Sequence, residues 1–338
     1  MTRAASPPPA AALSTQVPGA SPEAGASRLR GVLRRYLGVG AALLLLVMVL
    51  SVTQEQFLTT SNLMNVLRTN AVLFVVAVGV TYVIISTGLD LSVGALTALG
   101  GVLLADMLTS GVPVVLAVVL TIVACGSLGG LINGGLIAFG GFNFFVVTLA
   151  MMQVFRAVAL VMSDGTSTST IDYPLVQEVG DGAVAGLSVP VLLAILIGLI
   201  AHAVLRYTRF GRSVYAVGGN EAAARLSGVS VTRIRFAVYA IAATCAGIAA
   251  VMLTGRLTSS QPNSAAVGLE LSAAAAVLLG GASFAGGAGT IGGTAIGVLF
   301  LGFIANGITL AGVPSYWQGV ATGTVLIFAI ALDRLRRR

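Results

Sequence analysis

Residues 187–256 decide the fold, read as three consecutive pieces: LSVPVLLAILIGLIAHAVL (187–205), RYTRFGRSVYAVGGNEAAARLSGVSVTRIR (206–235) and FAVYAIAATCAGIAAVMLTGR (236–256). The outer pieces are apolar runs of about 20 residues, the length of one bilayer crossing. The middle piece is polar and carries six arginines, Arg206, Arg209, Arg212, Arg225, Arg233 and Arg235. Two spans joined by a basic loop describe a polytopic membrane protein with that loop in the cytoplasm.

The whole chain repeats this pattern. Of its 338 residues, 57% are apolar and 9% charged, and the mean hydropathy is +1.01. A soluble domain carries about 25% charge, so this chain lacks the polar residues to cover a water-facing surface. A transmembrane barrel is excluded too, because it would show short alternating segments instead of long runs. The expected fold is all-α, with about ten spans near 37–53, 71–88, 93–109, 112–138, 142–162, 187–205, 235–256, 268–284, 288–310 and 315–332. The first run follows a basic segment but has no small-residue cleavage site after it, so it reads as a retained span.

Arginine placement supports an even count with both termini cytoplasmic. Arg3, Arg28, Arg30, Arg34 and Arg35 precede the first span, and Arg334, Arg336, Arg337 and Arg338 follow the last. The loop near 164–186 carries Asp164, Asp172, Glu178 and Asp181 and no arginine, and it falls outside. Residues 1–36, rich in Pro, Ala and Ser, read as a disordered cytoplasmic tail. Residues 37–338 form the membrane domain.

All 18 basic residues are arginine. Without lysine the chain has no P-loop of the GxxxxGK[ST] type and no Schiff-base chemistry. Any ATP must be bound by another subunit. The net charge of +7 reads as topology signal and lipid contact, not nucleic-acid binding. The two cysteines, Cys125 and Cys245, lie in apolar runs and read as small hydrophobes. His202 is the single histidine, so neither a catalytic triad nor a metal site can be assembled. Gly287–Gly292 matches GxGxxG, but it lies between apolar spans with no strand before it, and reads as a tight turn.

Two sets of residues could carry function. In the basic loop, Gly218, Gly219, Asn220, Glu221, Ala222, Ala223, Ala224, Arg225, Leu226, Ser227 and Gly228 spell a short helix. Asn220 is its N-cap and Gly228 its terminator. Glu221 and Arg225 stand at i, i+4 with the acid first. Such a helix either docks into a partner groove or is a solvated loop. Inside the spans, Asp90, Arg156, Glu270, Asn133 and Asn306 are polar groups where burial is costly. They are candidates for a translocation path. Asp90 and Arg156 could pair. The competing readings are a helix N-cap for Asp90, backbone carbonyl contacts for Arg156, and interhelical packing for the asparagines.

The stretches STGLDLSVGAL (86–96), GGLINGGLIAFGGFNFFVVTLA (129–150), RYTRFGRSVYAVGGNEAAARLSGV (206–229), GLELSAAAAVLLGGASFAGGAGTIGGT (268–294) and PSYWQGVATGTVLIFAIALDRLRRR (314–338) resemble the permease subunit of bacterial ABC importers for monosaccharides. The likeness covers about residues 60–338. It implies a multi-pass permease of the inner membrane that translocates a ribose-like sugar and catalyses no reaction itself. Gly218–Gly228 would be the helix that couples it to a separate ATPase subunit, which holds the ATP and Mg²⁺. Other partners would be a second permease copy or paralogue and a periplasmic or lipid-anchored sugar-binding protein. The FGGFNFFVV segment lacks the prolines often found there in the family, and the DGTSTSTIDYP loop also departs from it. A stand-alone secondary carrier and a non-transport membrane protein are the alternatives.

Overall fold

A computed structural model describes residues 39–336. The expected tail, 1–36, lies outside the described residues. The helices are α1 (Val39–Thr53), α2 (Thr60–Ile85), α3 (Val93–Thr109), α4 (Val114–Leu128), α5 (Gly135–Ala138), α6 (Phe144–Met162) and α7 (Pro174–Asp181). They continue as α8 (Val189–Tyr207), α9 (Arg209–Gly219), α10 (Glu221–Leu226), α11 (Val231–Leu257), α12 (Leu269–Leu279), α13 (Ile291–Leu310) and α14 (Trp317–Arg336). A π-helical turn, Gly129–Gly134, joins α4 to α5, so 114–138 is one continuous rod. The sole departure from helix among named elements is a two-stranded antiparallel hairpin, β1 (Ala183–Val184) with β2 (Leu187–Ser188).

Each of the ten expected spans corresponds to an apolar helix. Six are long and apolar enough to cross a membrane, and Val39–Thr53, Val93–Thr109, Leu269–Leu279 and Trp317–Ala331 are shorter. Two boundaries differ from expectation. α2 begins at Thr60, not near 71, because Thr59 caps it by accepting from Asn62 N–H. Its first turns carry Asn62, Asn65, Arg68 and Asn70, whose polarity hides the helix from a hydropathy reading. α12 ends at Leu279, short of 284, where Gly280 and Gly281 (φ 92°) stop it. At about 1.5 Å per residue, α12 crosses only about half of a 30 Å core.

α11 is the centre of the bundle. It packs against α2, α3, α4 and the π turn, and at its C-terminal end against α7. Close approach is built from small residues: the Gly79 Cα faces the Ala242 backbone, Gly129 faces Ala243, Gly100 faces Ala250, and Gly247 faces Ile122 and Cys125. In lipid, packing of this kind replaces the hydrophobic effect as the force joining helices. Both cysteines are buried and free, as expected of small hydrophobes.

The bundle has two distinct ends. At one, α9 and α10 meet the ends of α2 and α11, with Phe139 on Phe236 (5.8 Å) and Tyr82 stacked on Phe210 (6.2 Å). At the other, the acidic loop and α7 close over α11, with Arg68 3.6 Å from Asp181 and Tyr173 Oη donating to Leu108 O (2.7 Å). The arginines of 206–235 and the acids of 164–181 therefore lie at opposite ends of α11.

Candidate functional site

The 206–235 loop is organised as two helices meeting at Asn220. The Asn220 side chain accepts from Ala223 N–H at 3.0 Å and so caps α10. At the other end Gly228 (φ 80°) donates to Arg225 O and Val229 N–H reaches back to Ala224 O, both at 3.0 Å. This pair of bonds is the Schellman closure, which needs a left-handed residue at Gly228. The helix expected between Asn220 and Gly228 is thus present with both of its predicted ends. Ala224 is buried on Val217 and Val231, while Ala222, Ala223 and Arg225 are exposed and Leu226 is 91% exposed.

Glu221 has two partners where the sequence suggested one. Its carboxylate takes Arg225 Nη2 at 2.8 Å and Arg235 Nη2, from the first turns of α11, at 2.5 Å. The hydrogen bond from Arg225, and then the charge of Arg235, hold the carboxyl below its ordinary range. Glu221 therefore ties α10 to α11, and Leu226 and the alanines form the outward face.

α9 enters this loop through a backbone joint. A Cβ on Gly218 would lie 1.7 Å from Ile85 O and 2.5 Å from Gly287 N. Gly287 N–H donates to Ile85 O at 2.8 Å, and Tyr215 Oη donates to Gly289 O at 2.7 Å. The main chains of α9, α2 and the 280–290 loop are thus in direct contact beside α10. The GxGxxG stretch is part of this joint, with positive φ at Gly287 and Gly289 and at Gly286 just before it. It follows a helix, not a strand.

Beyond Ile85 the chain leaves helical form from Ser86 to Ser92 while buried in the bundle. Irregular backbone at such depth needs partners of its own. Asp90, 1% exposed, accepts from Ser92 N–H (2.9 Å) and Ser92 Oγ (2.6 Å). Asn133 Nδ2 donates to Ser92 Oγ at 2.7 Å and reaches Asp90 Oδ1 at 3.5 Å. Leu89 O receives Tyr239 Oη at 3.3 Å and Thr148 Oγ1 at 3.5 Å. Three elements, the π turn, α6 and α11, converge on this break. The N-cap of α3 is Ser92, and Asp90 instead closes a turn onto Ser92. The π turn presents Asn133 to this knot, a common use of such turns.

Arg156 does not pair with Asp90. Its Nη1 donates to Pro262 O (3.2 Å) and Ala265 O (2.9 Å), the carbonyl alternative. Those carbonyls belong to a non-helical segment, 258–268, that passes from the α7 end back into the bundle. Ser260 N–H on Thr168 O (2.9 Å) marks its outer part. Its inner part reaches Glu270, whose carboxylate lies against Gly94. Among the described residues no ion pair joins Glu270 to Arg156. Asp90 with Asn133 on one side and the Glu270 carboxylate on the other therefore flank the first turn of α3. Asn306 is elsewhere: it exchanges two amide hydrogen bonds with Asn62, at 2.8 and 3.0 Å, clamping α13 to α2.

Sequence reasoning missed the Arg235 contact, the backbone joint and the inward path of 258–268. The joint had a signal, the alignment of Gly218 with a glycine-dense 280–293. The other two rest on contacts outside helix spacing: Arg235 lies 14 residues from Glu221, and the path of 258–268 is set by contacts with segments about a hundred residues away. Among the described residues no group of three or more His, Cys, Asp or Glu side chains could hold a metal ion.

Comparison with known proteins places this arrangement. Residues 62–330 match the family model described as a branched-chain amino acid transport system / permease component. The ribose import permease protein RbsC of Bacillus subtilis (strain 168) is 43% identical over 306 residues, 90% of this chain and 94% of that protein. RbsC of Escherichia coli (strain K12) is 40% identical, covering 88% and 92%. The L-arabinose ABC transporter permease protein AraH of Azospirillum brasilense is 36% identical, covering 89% and 88%. No solved structure matches the chain. With a family model over most of its length and sugar permeases this similar across nearly all of it, the chain belongs to the monosaccharide ABC-importer permease family, a family of multi-pass membrane transporters and not of enzymes.

Proposed function

We propose that this chain translocates a small, ribose-like monosaccharide across the inner membrane, driven by ATP hydrolysis on separate ATPase subunits. The supporting observation is the joint at Gly218, three residues before the capped helix α10, where main chain meets both α2 and the 280–290 loop. The sugar reading rests on the printed names of the relatives, ribose and L-arabinose permeases.

In this reading the ten apolar helices lie in the membrane, α12 completing its crossing together with the non-helical 258–268 segment, and the α9–α10 end and both termini are cytoplasmic. Two copies, or one copy and a paralogue, surround the path. A periplasmic or lipid-anchored binding protein delivers sugar at the α7 end. ATP and Mg²⁺ stay on the ATPase, and this chain binds no cofactor of its own. Closure of the ATPase pair moves α10, and Glu221 passes that movement to α11 through Arg235. The Gly218 joint passes it to the ends of α2 and α12. Asp90, Asn133, Arg156 and Glu270 support the path where helices are interrupted, and Asn306 fixes α13 beside it.

Uptake into proteoliposomes tests this, with the ATPase and binding protein encoded beside the chain supplied and ATP inside. ATP-dependent uptake of one sugar from a monosaccharide panel is expected. Changing Ala223 to Asp on the outward face of α10 should stop uptake while the permease still inserts. Uptake that persists without the ATPase would establish a secondary carrier instead.

A further inference from the structure

A cavity of about 270 Å³ opens beside the α9 end of the bundle, between α8, α9 and the start of α13. At about 30 Å³ per water it holds about nine waters, room for a phosphate and a small polar head. Its rim carries two guanidiniums, Arg206 and Arg212, and its wall carries His202 and Tyr215. No carboxylate lines it. Among the described residues the arginines in ion pairs are Arg68, Arg225 and Arg235, so the two on the rim have no acidic partner. Two guanidiniums around one cavity are suited to bidentate contact with a phosphate.

The surroundings identify where the phosphate comes from. On α8, Leu192, Ile195, Leu199, His202 and Arg206 follow the 3–4 residue spacing of one helix face. Ile195 and Leu199 are 52% and 63% exposed. An exposed apolar stripe on a membrane helix faces acyl chains, and this one runs directly up to the cavity. Tyr207, 71% exposed with the Arg206 guanidinium 5.8 Å from its ring, is an aromatic group of the kind that marks the headgroup level. A free anion would have no use for the stripe, whereas a phospholipid uses both parts.

We infer that this cavity binds the phosphate of an anionic phospholipid through Arg206 and Arg212, with an acyl chain along the α8 stripe. Basic pockets between membrane helices at the cytoplasmic face have this recognition chemistry. The site goes beyond the transport reading and stands independently of it. It has one structural consequence: Tyr215 in its wall also holds Gly289 O, so an occupied cavity braces the joint next to the docking helix.

The test is the thermal unfolding midpoint of the purified full chain in detergent, with added phosphatidylglycerol, phosphatidylcholine or inorganic phosphate. Phosphatidylglycerol should raise the midpoint by about 2–4 °C or more, and the rise should fall at least twofold in R206Q/R212Q. R206K/R212K should keep part of it. Native mass spectrometry gives a second readout through the single variant R212Q, which should retain fewer phosphatidylglycerol adducts than wild type. Equal shifts in wild type and R206Q/R212Q would overturn the site. So would an equal shift from phosphatidylcholine, or a full shift from inorganic phosphate, which would make the ligand a free anion. Loss of ATPase co-purification in R206Q/R212Q with an unchanged lipid shift would assign the arginines to a protein contact and likewise overturn it.

Discussion

Helices α8 and α11 have nearly the same mean hydropathy, 2.3 and 2.1, yet α11 is 61% buried over its most apolar window and α8 28%. α8 is built from Leu and Ile, and Leu196, Leu199 and Ile200 are each more than half exposed. α11 is built from Ala and Gly, and Ala242, Ala243, Ala246, Ala249 and Ala250 are all fully buried. In a bilayer both surroundings are apolar, so hydropathy does not separate interior from exterior. Side-chain size does, because only small residues allow backbones to meet. The loop at 218–228 repeats the contrast on a smaller scale: Gly218 touches main chain on both sides, and the Glu221 pairs are side-chain contacts at the surface.

That contrast can be broken from its most crowded point outward. Gly218→Val should have the largest effect, since any Cβ there collides with Ile85 O and Gly287 N. ATP-dependent uptake should be lost, with protease sensitivity rising in the 206–235 loop. Wild-type uptake would show that α9 can detach from α2 without consequence. Ala243→Leu comes next, as overpacking against Gly129 costs about 1–3 kcal/mol, and a lowered unfolding midpoint in detergent checks it. Asp90→Asn should weaken the turn it closes onto Ser92, hydrogen bonds worth about 0.5–1.5 kcal/mol each, and cut uptake with assembly intact. Full uptake would leave Asp90 as turn chemistry alone.

Glu221→Gln should cost less, about 0.2–1 kcal/mol for each exposed pair. Its signature is pH. Because the Glu221 carboxyl is held below its ordinary range, its contribution is present above the unfolded value of about 4.3 and is lost as pH falls through the folded value. Protection factors of α10 amides, corrected for the intrinsic pH dependence of exchange, should therefore fall on acidification in wild type and change little in E221Q. At the small end, Leu199→Ala on the exposed stripe should stay within about 0.5 kcal/mol. A midpoint change as large as that of Ala243→Leu would end the size argument.

Much of the architecture was legible because apolar runs and capping residues are local. The ten helices, Asn220 as cap and Gly228 as terminator follow from neighbours in sequence. The start of α2 was hidden by the polar run Asn62–Asn70, and the end of α12 by apolar residues that continue past Gly280. The polar candidates were found by type, but their pairing was not readable. Arg156 meets carbonyls more than a hundred positions away, and Glu221 takes Arg235 through the return of the chain into α11. The cap reading of Asp90 fails because Ser92, two residues on, is the N-cap of α3, a difference that spacing alone leaves open.

The π turn at Gly129–Gly134 has a last consequence, for chain length. A π turn holds one residue more than the α-helical path between the same two points. Deleting one residue there lets 114–138 close as an uninterrupted α-helix, a change eased by the three glycines among its six positions. The helix would survive, but the rotation of about 100° per residue would carry Asn133 away from Ser92. The rod thus contains one surplus residue whose loss would keep the helix but disturb both the buried knot and the close packing of Gly129 and Gly134 on α11.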